Sequence, residues 1–276
     1  MKVIEILMAT MFREDLSFLE PIFADNDLSD FQILIVNQTD EDKQLKSDLA
    51  NVRVINSFER GSPASRNLAI ANAKGDICLM ADDDIVYKPN LKKTILEAYD
   101  KHPEVDFISF EAVNEHEKLQ ANYPDEGVHD EKSLYEIYTW IITFKREVFK
   151  ERSIFFNHHF GVGSTFKGST EYVFLRNAFD KGLKMLHYPK TIVMHPEESS
   201  GRHMGSDEAF FASSARTHRF YGKLSYFWLL KYTLFMWKDG YIKFSEMPRK
   251  FKIGLAGISK YKELKRTGEI EQVYVD

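Results

Sequence analysis

Three successive carboxylates, Asp82-Asp83-Asp84, are where the sequence concentrates its capacity for chemistry. They follow an apolar run that we expect to be a buried strand, and like charges this close repel one another unless a cation or hydrogen-bond donors compensate them. Alternate residues of an extended chain point the same way, so Asp82 and Asp84 would share a face while Asp83 points elsewhere. Carboxylate oxygens suit Mg²⁺ or Mn²⁺, which bind one or two carboxylates together with substrate phosphates. This aspartate tract therefore predicts a metal and diphosphate site, with a solvated acidic turn as the alternative.

Alternating strands and helices in the first 110 residues would position the aspartate tract. We expect strands at residues 3–9, 32–36, 52–56, 76–81 and 107–110, and helices at residues 16–24, 41–49, 63–73 and 90–100. Strands separated by helices of this length imply right-handed crossovers and a mostly parallel α/β sheet. Because ligands bind outside the carboxyl ends of such strands, we expect Thr10, Asn37 and the aspartate tract to converge at one sheet edge.

The second half of the chain has fewer and shorter apolar segments. We expect a strand at 139–145, a glycine-rich loop at 161–168, a helix at 170–181, two short strands at 183–187 and 191–194, and a helix at 203–221. The chain then divides into an α/β domain at 1–205, with halves at 1–110 and 111–205, and a helical extension at 206–276.

Three stretches of sequence carry a resemblance to a known family: Gly61-Ser62-Pro63-Ala64-Ser65-Arg66-Asn67-Leu68-Ala69-Ile70, Ala73-Lys74-Gly75-Asp76, and Leu79-Met80-Ala81-Asp82-Asp83-Asp84-Ile85. Together they resemble family 2 glycosyltransferases of the GT-A fold, most clearly over residues 3–110 and again over 160–196. The resemblance implies a GT-A type, Rossmann-like sheet flanked by helices. It also implies transfer of a sugar, with inversion and a divalent metal, from a nucleotide-diphosphate donor to a hydroxyl of a glycan or lipid-linked acceptor.

The resemblance further implies which residues hold the donor. Thr10 lies where the family binds the nucleotide base, and Arg66 lies where the family has a cation near the diphosphate. Asp82 would contact the ribose or the metal, and Asp83 would have a largely structural place in the same site. Asn37 stands where the family often has an acidic residue that reads uracil, yet a UDP-sugar is the donor that we expect, with Mn²⁺ or Mg²⁺ as cofactor.

Inverting transfer needs a general base that takes the proton from the acceptor hydroxyl, and Glu171 is our candidate. It lies in the first turn of a predicted helix, where it could instead only complement the helix dipole. The family often carries two acidic residues here, whereas this chain has Thr170 before Glu171. A catalytically inactive GT-A domain that serves as a scaffold or glycan-binding module is therefore the alternative function.

A histidine completes the metal shell in several members of the family, in the context that His195-Pro196 has here. The resemblance thus implies that Asp84 and His195 ligate the metal, and imidazole is an acceptable ligand for Mn²⁺. The alternative is a histidine that is only hydrogen-bonded at a strand end. Arg202-His203, in the loop that follows, would reach the diphosphate of a bound donor.

The charge of the chain is unevenly distributed. The net charge is -5, yet residues 216–266 carry thirteen basic and three acidic side chains, or about +10. Residues 224–237 are strongly apolar and aromatic, so residues 224–252 have the composition of an interfacial helix on an anionic membrane surface. The alternatives are a helix packed on the catalytic domain and a dimer interface. No nucleic-acid motif accompanies the charge, so we expect no nucleic-acid partner.

The remaining features bear on the compartment. The single Cys78 excludes a disulfide framework and fits a reducing environment. The N-terminal apolar stretch contains Glu5 and lacks a small-residue cleavage site, so we expect a buried strand rather than a signal peptide. No run reaches the roughly 18 apolar residues of a spanning helix. We expect a cytoplasmic protein, or one attached to the inner face of the membrane.

Overall fold

The computed structural model describes residues 2–196 and 204–273. Within them, nine strands form one sheet. The strands are β1 (Ile4–Met11), β2 (Gln32–Gln38), β3 (Val52–Ser57), β4 (Ile77–Ala81), β5 (Val86–Tyr87), β6 (Phe107–Val113), β7 (Gly127–Val128), β8 (Ile142–Lys145) and β9 (Met185–Met194). The helices are α1 (Leu19–Ile22), α2 (Ser62–Asn72), α3 (Leu91–Lys101), α4 (Arg146–Glu151), α5 (Thr170–Asp180), α6 (Asp207–Tyr221), α7 (Leu224–Lys238) and α8 (Met247–Thr267).

The sheet has the strand order β3-β2-β1-β4-β8-β6-β9-β5, with β7 paired to β9. The strands β3, β2, β1 and β4 are parallel neighbours, because a helix or loop returns the chain between them. β8 then enters antiparallel to both β4 and β6, while β6 and β9 are parallel again. The predicted α/β class, a Rossmann-like sheet flanked by helices, is confirmed.

The carboxyl ends of the first four strands meet at one edge, as predicted. Thr10 of β1 is in register with Asn37 of β2, and Met8 of β1 is in register with Ala81, the last residue of β4. The chain leaves β4 directly into the aspartate tract. The parallel register therefore brings Thr10, Asn37 and the aspartates to the same end of the sheet.

Several predicted elements differ from the structure. No helix forms at residues 41–49, where the chain is irregular. The helix predicted at 16–24 shortens to α1, and the strand predicted at 139–145 begins with a 3₁₀ turn, Thr139–Ile141. The two strands expected around Pro189 are one continuous strand, β9, which a proline tolerates where its ring does not interrupt a ladder hydrogen bond.

Helices α6, α7 and α8 form a layer of their own that packs on the second half of the sheet domain. A hydrophobic cluster joins Phe166 of the glycine-rich loop and Phe160, just before that loop, to Ala212 of α6 and Tyr261 of α8. A second cluster lies among the three helices and includes Phe210, Leu229 and Met236. In the described residues, none of the helices has the length and apolar character needed to cross a membrane.

Candidate active site

The three aspartates of the tract each meet a different partner. Asp82 pairs with Arg66, Asp83 with Arg13, and Asp84 with His195. Like-charge repulsion within the tract is thus compensated by three separate groups from three different parts of the chain. The tract lies at the mouth of a cleft of about 230 Å³ whose lining includes Thr10, Gln38, Ser65 and Arg66.

Asp83 is held by the protein itself. The hydroxyl of Thr10 donates a hydrogen bond to Asp83 Oδ2, and Arg13 Nε and Nη2 lie 2.9 Å and 2.7 Å from the same oxygen. The Arg13 guanidinium also lies 4.9 Å from the centre of the Phe18 ring. With these contacts, Asp83 links the end of β4 to the end of β1.

Arg66 joins the aspartate tract to Glu171. It is buried on α2, and its Nη2 lies 3.0 Å from Asp82 Oδ1 while its Nη1 lies 3.4 Å from Glu171 Oε1. Burial alone would lower the pKa of Arg66, but the charges of Asp82 and Glu171 outweigh it and raise that pKa. Burial raises the pKa of Asp82, and Arg66 opposes that rise. The guanidinium is therefore a permanent positive charge between two carboxylates.

Glu171 lies in the first turn of α5, as predicted, and its carboxylate contacts polar side chains. Thr139 Oγ1 donates a hydrogen bond of 2.7 Å to Glu171 Oε1, the oxygen that Arg66 also approaches. In the part of the chain that the structure describes, both contacts fall on Oε1. The side chain is 32% exposed, so Oε2 remains available to an incoming group.

His195 closes the other side of the tract. Its ring is buried and stacks on the Trp140 indole at 4.0 Å between centroids, and Trp140 stacks in turn on Tyr138 at 5.1 Å. The His195 Nδ1 lies 2.7 Å from the Pro196 carbonyl oxygen, which can only accept a hydrogen bond. Nδ1 therefore carries a hydrogen, and Nε2 faces Asp84 Oδ1 at 3.4 Å.

The pair formed by Asp84 and His195 has the donor set of a partial metal site. The Asp84 side chain is 62% exposed, and a ring fixed through Nδ1 leaves Nε2 as the ligating atom. Hydrogen bonding to His195 lowers the pKa of Asp84. Burial would lower the pKa of His195, but Asp84 outweighs it and raises that pKa. Within residues 2–196 and 204–273, no group of three or more His, Cys, Asp or Glu side chains is disposed to hold a metal ion.

Asn37 and Gln38 are engaged with the backbone. The Asn37 amide accepts a hydrogen bond from the Arg13 N–H and donates to the Arg13 carbonyl, at 3.1 Å and 3.0 Å, and it also donates to Asn56. Gln38 Oε1 accepts from the Gly61 N–H at 2.7 Å. Asn37 thus lies at the predicted place, but its side chain is fully buried and fixes the turn that carries Arg13.

A second, larger cleft of about 800 Å³ lies beyond the glycine-rich loop. Its lining includes Val162, Gly168 and Ser169 on one side and Ala209 and Tyr232 on the other. The Val162 carbonyl accepts a hydrogen bond from the Ser62 N–H, which belongs to the lining of the first cleft. This backbone hydrogen bond therefore joins the lining of one cleft to the lining of the other.

Residues 17–171, more than half of the chain, match the sequence model described as Glycosyl transferase family 2. The chain belongs to this family. A comparison with curated proteins gives no match.

Among solved structures, the chain is similar to S. aureus TarS, with a TM-score of 0.59 and 13% identity over 97% of this chain and 50% of that one. It is also similar to S. aureus TarS 1-349 in complex with UDP, with a TM-score of 0.57 and 13% identity, and in complex with UDP-GlcNAc, with a TM-score of 0.55 and 14% identity. Each of these two comparisons covers 99% of this chain and 94% of that one.

The structural likeness confirms the GT-A type fold that the sequence predicts for this chain. At sequence identities of 13% to 14%, the structural likeness shows a shared fold and nothing further. The chain spans half of the length of the first of these TarS structures.

The structure adds three residues to the set that the sequence indicated: Arg13, Thr139 and Trp140. Arg13 follows the end of the first strand, so its proximity to the tract could have been inferred from the same strand-end argument. Thr139 and Trp140 lie in the 3₁₀ turn before β8 and carried no recognisable signal. Arg202 and His203 lie outside the described residues.

Proposed function

We propose that this protein transfers a sugar, with inversion and with help from a divalent metal, from a UDP-sugar to a hydroxyl of a glycan or lipid-linked acceptor. The observation that carries the proposal is the convergence of the aspartate tract, Arg66, His195 and Glu171 at one sheet edge. Carboxylates that face a cleft beside a buried guanidinium suit a ligand that bears a diphosphate. A carboxylate with an available oxygen, next to that cleft, suits proton abstraction.

The donor half of the site has few degrees of freedom. Asp83 is fixed by Thr10 and Arg13, so the tract is held in one geometry before a substrate arrives. Thr10 and Asp82 line the cleft and are our candidates for contacts with the nucleoside. Because Asn37 is occupied with the backbone of Arg13, we expect it to support the base-binding edge through that turn.

Asp84 and His195 would hold the metal. When bound, the ion would neutralise the negative charge that develops on the departing nucleoside diphosphate. Arg66 pairs with Asp82 and supplies a fixed positive charge to the same cleft. A mixed shell of carboxylate, imidazole and phosphate oxygens suits Mn²⁺ better than Mg²⁺.

Glu171 would act as the base of the acceptor half. Thr139 and Arg66 orient its carboxylate through Oε1. Oε2 would accept the proton of the acceptor hydroxyl while the hydroxyl oxygen of the acceptor attacks the anomeric carbon. The larger cleft begins at Gly168 and Ser169, just before Glu171, and its size suits an oligosaccharide or an amphipathic acceptor.

The decisive experiment is a binding and transfer assay with the full chain. A thermal-shift series with UDP-, GDP- and other nucleotide sugars, with and without Mn²⁺, should give its largest shift for the UDP-sugar with Mn²⁺, because ligand stabilisation follows affinity. Asp84→Ala should abolish the metal-dependent part of that shift and reduce transfer about a hundred-fold or more. The exposed Asp48→Ala variant, at a residue that lines neither cleft, is the matched control. Equal shifts with and without metal would remove the metal from the proposal.

The inactive alternative has its own outcome in the same assay. Thr170, which stands where the family often has a first acid, is buried at the start of α5. If the wild-type chain binds a UDP-sugar with Mn²⁺ yet neither hydrolyses it nor glycosylates any of a panel of glycan and polyprenyl acceptors, the scaffold or glycan-binding function is favoured instead.

A further inference from the structure

Helix α7 directs its more apolar side away from the protein. The side that packs on α6 and α8 contains Ser225, Leu229, Thr233 and Met236, two of which are hydroxyl residues. The outward side is larger and more apolar, with side chains that are 42% to 70% exposed: Leu224, Phe227, Leu230, Leu234, Phe235 and Trp237. A surface helix of a globular protein normally has the reverse arrangement, with its apolar stripe facing the core.

The turn after α7 extends this surface. Tyr241 is 50% exposed and Phe244 is 68% exposed, and the Phe244 ring lies edge-on to Trp237 at 5.3 Å. We call the six outward residues of α7 together with Tyr241 and Phe244 the α7 patch. Contiguous apolar surface of this kind marks an interaction site more often than it marks ordinary protein surface.

Lysines are interleaved with the apolar side chains of the patch. Lys231 and Lys238 lie on the same outward side of α7 as Phe227 and Leu234, by the 3.6-residue period of the helix, and Lys223 and Lys243 lie at its two ends. All four are exposed. Among the residues that the structure describes, these four lysines have no carboxylate within ion-pair distance. Their charge is therefore left for a partner.

We propose that the α7 patch binds the surface of an anionic lipid bilayer, with α7 lying flat in the interface. Trp and Tyr rings favour the boundary between head groups and acyl chains, and lysine stems can lie along apolar surface while their ammonium groups reach lipid phosphates. Phe227 and Lys231 illustrate the arrangement, since the ammonium lies 5.9 Å from the ring centre. With fifteen residues, α7 is too short to span a membrane.

Charge complementarity favours a bilayer over a second copy of the chain. A two-fold contact between copies through this patch would place Lys231 and Lys238 of both molecules in one interface, without an acidic residue of the patch to pair with them. The acidic residues nearest in sequence are Asp239 and Glu246. Glu246 already accepts a hydrogen bond from the Lys243 N–H and pairs with Arg249, so Asp239 is left as one carboxylate against the four lysines of each copy. Anionic head groups supply the missing charge.

The test is flotation of the full chain with unilamellar vesicles of phosphatidylcholine alone or mixed with phosphatidylglycerol. We expect binding to the mixed vesicles, weak binding to phosphatidylcholine, and a loss of binding as salt rises from about 0.1 M to about 0.5 M. Lys231→Glu/Lys238→Glu should lower the partition coefficient more than about twenty-fold, because each lysine contributes about five-fold. Phe227→Ser/Leu234→Ser should lower it about ten-fold or more.

Matched controls use equally exposed residues elsewhere. Lys46→Glu/Lys150→Glu and Leu119→Ser/Val128→Ser should bind as the wild type does. None of these residues belongs to the candidate active site, so transfer to a water-soluble acceptor should be unchanged in all four variants. Wild-type binding that the patch variants retain would overturn the proposal. A wild-type chain that does not bind vesicles would also overturn it. Light scattering would then distinguish a monomer from a dimer that the patch variants dissociate, and neither result would support the proposal.

Discussion

At the scale of single residues, the most informative contact is the one between Glu171 and its two donors. Thr139 and Arg66 both approach Oε1, so a glutamine at this position can keep Oε1 as an acceptor while it loses the basic oxygen. We expect Glu171→Gln to fold normally and to lower kcat about a hundred-fold or more, since a positioned general base contributes that much. Donor affinity, measured by calorimetry with UDP-sugar and Mn²⁺, should change by less than about three-fold.

The control for this substitution is Glu151→Gln, an exposed glutamate that lines neither cleft. A Glu171→Gln variant with wild-type kcat would show that another group takes the proton. A variant that loses donor binding and activity together would instead assign Glu171 a role in holding Arg66.

Thr139 offers a finer test, because it acts on the reaction only through Glu171. Thr139→Val preserves shape in a buried place but removes the hydroxyl that donates to Oε1. A hydrogen bond to a charged group contributes enough for about a ten-fold loss of kcat when it is removed. We expect that loss with an unchanged KM for donor, and recovery in Thr139→Ser. If Thr139→Val keeps the wild-type kcat while Thr139→Ser is impaired, the methyl group and not the hydroxyl matters, and Thr139 has a packing role.

The residues that sequence reasoning could find are those next to a predicted strand end. Thr10, Asn37 and the aspartate tract qualify, because parallel register brings such residues together whatever the rest of the chain does. The pairing of Thr139 with Glu171 could not be inferred, since it depends on how a 3₁₀ turn packs against a helix start thirty-two residues later. The proximity of Arg66 to Glu171 could not be inferred either, because helical periodicity describes neighbours within α5 and Arg66 comes from α2.

At the scale of elements, the central strands β1, β2, β4 and β6 were predictable because they are largely buried and read as nearly continuous apolar runs. The failure at residues 41–49 has a local cause. Asn56 of β3 accepts a hydrogen bond from the Leu45 N–H and donates one to the Leu45 carbonyl, both at 2.9 Å. These bonds hold the segment in an extended path along β3 and leave Leu45 as its buried anchor. A side chain eleven residues away thus overrides a weak helical pattern.

The packing of α6 against α8 depends on a glycine. A Cβ on Gly257 would lie 2.2 Å from the Phe211 carbonyl oxygen, which is backbone and cannot move aside without shifting α6. Alanine is the better helix former by about 1 kcal/mol, yet we expect Gly257→Ala to destabilise the protein by about 2 kcal/mol, because overpacking outweighs propensity. Urea unfolding measures the change. The exposed Ser259→Ala on the same helix is the control and should be neutral or slightly stabilising. A stabilised Gly257→Ala would mean that the two helices are less tightly packed.

At the scale of the whole molecule, a buried histidine pair couples stability to pH. Ser109 Oγ of β6 lies 2.8 Å from His129 Nε2 and 3.0 Å from His187 Nδ1, and His129 Nδ1 lies 2.9 Å from Ser133 Oγ. One hydroxyl can serve two neutral imidazoles by donating to one and accepting from the other. Burial lowers the pKa of each histidine from 6.5 to about 4, and His187 adds to the effect on His129. The fold therefore holds both rings in their neutral form.

The sign of the pH dependence follows from these shifts. The native pKa values lie below the unfolded ones, so above about pH 6.5 neither state gains a proton and the full stability is present. As the pH falls from about 6.5 toward about 4, the unfolded chain protonates its histidines while the native protein does not, and stability falls by up to about 3 kcal/mol for each histidine.

We expect His129→Gln/His187→Gln to flatten the pH dependence of the urea-unfolding free energy between pH 7.0 and pH 4.5, even if the variant starts from a lower value at pH 7.0. His116→Gln, at an exposed position, should keep the wild-type slope. If the double variant also keeps that slope, the carboxylates govern acid unfolding rather than the two histidines, because the wild type and the double variant have the same carboxylates.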